Sequence, residues 1–184
     1  MSSPVTVRGR ERPRLFLAFP LPRDAVKRLA EWQRRELTGG RIVLPENLHV
    51  TLAFLGARPA EELDAIAGAL REATAGAAEK PVFTPEGYRE TRSVGMVSCG
   101  DEEGRATRIA EDVFERLERL GVYERERRRW LPHITVLRFR ERPRLDPPLP
   151  ALGPVRLSEA AVYISELRPS GAQYDVLESV ALGG

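Results

Sequence analysis

The apolar positions change period along the chain, and those changes divide it into elements. Arg14-Leu-Phe-Leu-Ala-Phe19 is an unbroken apolar run closed by Pro20-Leu-Pro22, the pattern of a buried strand. From Pro22 to about Glu36 the spacing becomes helical, with Ala25, Val26, Leu29 and Trp32 on one face and Gly39-Gly40 as the stop. Arg41 to Leu44 reads as an edge strand ahead of a turn at Pro45-Glu-Asn47. Leu48 to Leu55 predicts a strand ended by Gly56, and a second helix follows from about Pro59 to Ala73, burying Leu63, Ile66, Ala67 and Leu70.

The second half keeps this order. Residues 81–89 and 93–98 predict paired strands, and 103–120 a helix with Ile109, Val113, Leu117 and Leu120 on one stripe and Gly121 as its stop. Trp130 to Phe139 predicts a strand entered through Pro132. A proline-rich connection, 143–154, leads to two last strands, about 155–167 and 173–182, joined by the turn Pro169-Ser-Gly171. Each half therefore runs strand, helix, then a strand bearing His-x-Thr. Hairpin-linked strands with segregated helices predict an antiparallel α+β fold rather than a doubly wound parallel sheet. Residues 1–13 read as a disordered, arginine-rich arm, and residues 14–184 as the folded domain.

Composition narrows the function classes. With 184 residues, 42% of them apolar and 30% charged, the chain fits one ordinary domain or two small lobes sharing a core. It carries no run long and apolar enough for a membrane span and no secretory h-region. Cys99 is the sole cysteine, which excludes an internal disulfide framework and a cysteine zinc site and fits a reducing cytoplasm. Two histidines, one cysteine and no dense carboxylate cluster argue against a protein-bound transition metal. The absence of a Gly-rich strand-to-helix turn argues against a nucleotide cofactor. The formal charge of +2 is carried almost wholly by arginine, Lys27 and Lys80 being the only lysines, and it speaks to solubility before nucleic acid.

Both histidines sit in one four-residue pattern, His49-Val50-Thr51-Leu52 and His133-Ile134-Thr135-Val136. At ordinary frequencies a given histidine opens His-apolar-Thr-apolar about one time in a hundred, so the duplication carries chemical information. On a strand, side chains at i and i+2 share a face roughly 6.5 Å apart, while the apolar residues between them turn into packing. Two imidazoles and two hydroxyls brought to one cleft suit a phosphodiester. One neutral imidazole takes a proton from water, the other gives one to the leaving oxygen, and the hydroxyls bind the non-bridging oxygens.

With these motifs the chain resembles the 2H phosphoesterases, and within them the RNA 2′,3′-cyclic phosphodiesterase branch, also described as 2′-5′ RNA ligase-like. The resemblance runs from Arg14 to Leu182. It rests on Arg14-Leu-Phe-Leu-Ala-Phe-Pro-Leu-Pro22, Pro45-Glu-Asn-Leu-His-Val-Thr-Leu-Ala-Phe-Leu-Gly56, Pro132-His-Ile-Thr-Val-Leu-Arg138 and Ser165-Glu-Leu-Arg-Pro-Ser-Gly-Ala-Gln-Tyr174. It implies a two-lobed, pseudo-symmetric fold of antiparallel sheets with helices outside and a central cleft carrying both motifs. It also implies metal-independent opening of an RNA 2′,3′-cyclic phosphate to a 2′-phosphomonoester; the chain itself is expected to act as a cytoplasmic monomer without a cofactor. His49 resembles the proton donor to the departing 3′-oxygen and His133 the base, with Thr51, Thr135 and Arg138 holding the phosphate.

Strict alternation would turn Arg138 away from His133 and Thr135, so this role requires a bulge or the strand's end to redirect it. Arg125, Arg127, Arg128 and Arg129 read first as a solvated loop and second as a grip on an RNA backbone. Phe16 and Phe19 lie in a strand that the family places beside the cleft, where an aromatic could stack a base, although core packing competes. Trp32, Trp130 and Cys99 read as packing residues. The same site fits three rivals: joining RNA ends through a 2′-5′ linkage, opening a small cyclic nucleotide, and binding RNA ends without catalysis.

Overall fold

The computed structural model describes residues 12–169 and 171–183, so most of the expected N-terminal arm, residues 1–11, lies outside the described residues. The chain runs β1 (Arg14–Pro20), α1 (Arg23–Glu36), β2 (Arg41–Ile42), β3 (His49–Ala57), α2 (Leu63–Ala75), β4 (Val82–Glu90), β5 (Val94–Asp101), α3 (Arg105–Arg119), β6 (His133–Arg138), β7 (Val155–Arg156), β8 (Glu159–Arg168) and β9 (Gly171–Ala181). These elements follow the hydrophobic periods closely, and the fold is the antiparallel α+β arrangement expected.

The strands pair in the order β7-β4-β5-β6-β3-β1-β8-β9, with β2 added alongside β6. The two lobes are the two halves of this sheet. In one, β3 returns antiparallel to β1 after α1; in the other, β6 returns antiparallel to β5 after α3. They meet at a single paired position, Val50 opposite Ile134. Both residues are almost fully buried, at 0% and 2% exposure. Burying a side chain of this size stabilises by roughly 1.5–3 kcal/mol, and a one-residue slip would expose the whole apolar set, so the register of each motif is firmly specified.

The expected continuous strand over 155–167 is two strands in different lobes: Val82 and Phe83 of β4 pair with Arg156 and Val155 of β7, while β8 pairs β1 and β9. These strands stand far apart in the sheet order, yet only Leu157 and Ser158 separate them. Three residue steps span at most about 10 Å, so the sheet must curl until its β7 edge approaches β8. The helices pack on the face to which Val50, Ile134 and Val136 point: Leu29 and Trp32 of α1, Ile66 and Leu70 of α2, and Ile109, Val113 and Leu117 of α3 share one core with them. The opposite face is left for the motif side chains.

Candidate active site

Extending the antiparallel register by one residue either side of Val50–Ile134 sets His49 opposite Thr135 and Thr51 opposite His133. The two motifs are thus related by a local pseudo-two-fold, and their four polar side chains share the face away from the helices. The orientation of each ring is fixed by the same device. His49 Nδ1–H donates to the Asn47 carbonyl at 2.8 Å, and His133 Nδ1–H to the Leu131 carbonyl at 2.8 Å. A carbonyl only accepts, so each Nδ1 carries hydrogen and each Nε2 is left to do chemistry. Within the first motif His49 Nε2 accepts from the Thr51 hydroxyl at 3.0 Å.

The strands do not alternate strictly. Between β1 and β3 the register skips Leu52, and between β5 and β6 it skips Val136, so each strand carries a bulge three residues after its histidine. The burial sequence of the next residues is consequently the same in both strands, with residue +5 exposed on the histidine face. Those residues are Phe54 and Arg138. The requirement that Arg138 needed for a phosphate role is therefore met.

The second bulge is held from outside the sheet. Gln33, fully buried in α1, donates through Nε2 to the Val136 carbonyl at 2.8 Å and to the Val43 carbonyl at 3.1 Å. The Val43 N–H donates to the same Val136 carbonyl at 3.1 Å. The first motif is pinned by Trp130, whose indole N–H donates to the Thr51 carbonyl at 3.0 Å. Gly40 lets β2 come alongside, since a Cβ there would stand 2.6 Å from the Arg138 carbonyl oxygen. Arg41 follows it, paired with Arg138, and Asn47 Nδ2 donates to the Ala172 carbonyl at 2.8 Å, tying the turn before β3 to β9.

A cavity of 140 Å³ results, lined by both histidines, both threonines, Arg138 and Arg41, and closed by Phe54, Asn47 and Tyr174 among others. Every side chain singled out as a site residue from the sequence reaches it. Arg41 and Phe54 were missed, and Tyr174, whose role the sequence left undecided, meets the His49 ring edge-on at 5.5 Å between centroids. Phe16 and Phe19 are corrected as base-stacking residues: they are 2% and 0% exposed. Phe16 instead supports the site from below, 5.0 Å from the His49 ring and 4.9 Å from the stacked Tyr163 ring. In the arginine segment, Arg125 pairs with Glu111 and Glu118 and lies over the Phe114 ring, and Arg128 pairs with Glu126. Trp32 and Cys99 are packing residues as expected, and burial pushes the Cys99 thiol up to about 12.

Burial pulls His49 down from 6.5 to about 4; the Asn47 carbonyl opposes this, and the positive charges of Arg138 and His133 add to it. In the free site His49 is therefore a neutral imidazole at pH 7. Burial is the larger cause; the smaller part, the positive charge of Arg138, is one that also attracts an anion.

The family profile described as LigT like Phosphoesterase matches residues 19–82. A relative from Thermus thermophilus, named RNA 2′,3′-cyclic phosphodiesterase, is 36% identical over 182 residues, covering 93% of this chain and 91% of its own length. This chain belongs to the LigT-like phosphoesterases. Another member of that name, from Escherichia coli, is 28% identical over 94% of this chain and 98% of its own. Among solved structures, TT0787 of Thermus thermophilus superposes with a TM-score of 0.77 at 32% identity, over 93% of this chain and 98% of that one. The fold and family expected from the paired motifs are thus found. No described helix of this LigT-like chain is long and apolar enough to cross a membrane.

Proposed function

We propose that this chain hydrolyses the 2′,3′-cyclic phosphate at RNA 3′ ends to a 2′-phosphomonoester, without a metal. The observation that carries the reading is the pair of imidazoles, each locked through Nδ1 to a carbonyl two residues back, on either side of the Val50–Ile134 pair. The names of the relatives support the same reaction.

In the mechanism the family resemblance suggests, His133 Nε2 takes a proton from water as the water oxygen bonds to phosphorus. The P–O3′ bond breaks, and His49 Nε2–H gives its proton to the departing 3′-oxygen. Thr51, Thr135 and Arg138 hold the non-bridging oxygens, whose charge grows as the fifth bond forms. Each proton transfer is worth about 10²- to 10⁴-fold in rate. His49 must be protonated to act as donor, and a phosphodiester anion beside it raises its proton affinity against burial and the positive charge of Arg138. The partner is an RNA end, and the protein acts as a monomer in the cytoplasm, in keeping with its single buried cysteine.

One observation favours a second reading. The depressed proton affinity of His49 suits it to be the base, with His133 the donor. A phosphodiester with a nitrophenol leaving group separates the two, because such a group departs without a proton. Losing the donor then costs little, while losing the base costs the full rate. The function itself is tested with a short RNA ending in a 2′,3′-cyclic phosphate, incubated with excess EDTA and chromatographed against 2′- and 3′-phosphate standards. A 2′-phosphate product is expected. Product formation that stops in EDTA, or a 3′-phosphate, overturns the reading.

A further inference from the structure

Arg41 and Arg138 face two cavities at once. On one side they line the cavity of the two histidines. On the other they open a groove of 670 Å³ that continues to Arg140, with Glu141 the one carboxylate among its described lining residues. Phe139 is buried between Arg138 and Arg140, and its N–H donates to the Ser93 carbonyl at 3.0 Å, so two exposed arginines flank an anchored residue. Their Cα atoms stand no more than about 7 Å apart. Arg41 comes from β2 and lies against Gly171 at the start of β9, where a Cβ would stand 3.0 Å from Arg41 Nη1. Among the described residues no carboxylate pairs with Arg41, Arg138 or Arg140.

Two other grooves adjoin the histidines, and charge separates them from this one. The groove over α1, 660 Å³, sets Arg23, Lys27 and Arg34 against Glu31 and Glu46. In the groove beside Phe54, 460 Å³, Arg125 and Arg128 are already paired with Glu111, Glu118 and Glu126. Only the groove at Arg138 groups guanidiniums that nothing neutralises, and grouped like charges repel one another until an anion joins them. We propose that Arg41 and Arg140 hold the phosphodiester next to the cyclic phosphate, so that the RNA chain leaves the site along this groove. The substrate class is then an oligonucleotide end rather than a free cyclic mononucleotide. Contacts to backbone charge carry no base preference of their own, so the groove accepts any sequence. This rests on the phosphodiesterase reading, which places the first phosphate beside Arg138.

The test compares two dinucleotides ending in a 2′,3′-cyclic phosphate, identical except that the linkage between the nucleosides is a phosphodiester in one and an uncharged methylphosphonate in the other. The 5′ nucleoside is deoxy in both, so the linkage is inert. Wild type should prefer the charged linkage about 10-fold through KM at low salt, the scale of one charge-assisted contact. The slope of log kcat/KM against log salt should be steeper for it by about 0.7, the release of one counterion from a single strand. Arg140→Ala should bring the preference close to one, Arg140→Glu should reverse it, and Arg140→Lys should keep most of it. Because each preference is a ratio within one protein, a general loss of folded enzyme cancels. No preference in wild type, or an Arg140→Ala loss equal on both dinucleotides, overturns the groove. Turnover of neither dinucleotide by wild type would instead count against the phosphodiesterase reading. The groove is then read by calorimetric binding of the same pair carrying a terminal 2′-phosphate: an Arg140-dependent difference is expected, and equal affinities overturn it.

Discussion

Replacing Gln33 with leucine should damage a site that Gln33 does not touch. Its amide nitrogen bridges the carbonyls of Val136 and Val43, and Val136 is the bulged residue that turns Arg138 into the cleft. In Gln33→Leu the Val43 carbonyl loses this donor, while Val136 keeps the Val43 N–H at 3.1 Å. Leaving buried acceptors short of partners costs about 1–3 kcal/mol each. Against that, Gln33 Oε1 is buried without a partner among the described residues, so removing it returns about 1 kcal/mol. The net loss is about 1–3 kcal/mol, or roughly 3–10 °C in Tm for a chain of this size, readable by urea and thermal unfolding. The kinetic consequence is the sharper one. With the bulge relaxed, Arg138 no longer faces the phosphate, and kcat/KM should fall about 10- to 100-fold, the scale of one charge-assisted contact. A double-mutant cycle with Arg138→Ala tests the route of the effect: in that background Gln33→Leu should cost stability and almost no further activity. Additive losses in kcat/KM, or a Gln33→Leu protein as stable and active as wild type, would refute the reasoning.

Three further outcomes follow from the same geometry. Because His49 is held near 4 in the folded chain against 6.5 unfolded, the unfolded state binds the extra proton as pH falls. Stability should therefore decline from pH 6.5 to 4 by up to about 3 kcal/mol, less in His49→Gln, and imidazole NMR should show His49 titrating near the lower value and rising when phosphate binds. Arg138→Lys keeps the charge but not the planar fork, so it should recover only part of the kcat/KM lost in Arg138→Ala. Gly40→Ala drives a methyl group against the Arg138 carbonyl and should lower both Tm and kcat/KM, while a control substitution to alanine at Gly76, where a Cβ meets nothing within 4 Å, leaves kcat/KM in place.

The paired motifs were legible because they depend on one local rule, the period of two, which carries each histidine and threonine to a common face. What lay beyond was written in distant residues. The bulge that redirects Arg138 is held by Gln33, 103 residues away in sequence, and no pattern within β6 announces it. Phe54 escaped for the same reason, since alternation places it on the buried face; comparing the fifth residue after each histidine is the signal that finds it. Phe16 and Phe19 were placed in the right strand, but β1 lies between β3 and β8, so both rings close over. The break at Leu157–Ser158 was invisible because neither glycine nor proline marks it, and Leu157 continues the buried pattern.

The central claim is that His49 and His133 form one acid–base pair, and single-turnover kinetics beside equilibrium binding tests it most directly. RNA ending in a 2′,3′-cyclic phosphate is mixed with excess protein, wild type, His49→Ala or His133→Ala, and cleavage and affinity are measured separately. The account predicts that each variant binds within a few-fold of wild type while its rate of ring opening falls at least about 10²-fold. Full-rate ring opening by either variant, or a loss of binding that accounts for the whole loss of rate, would contradict it.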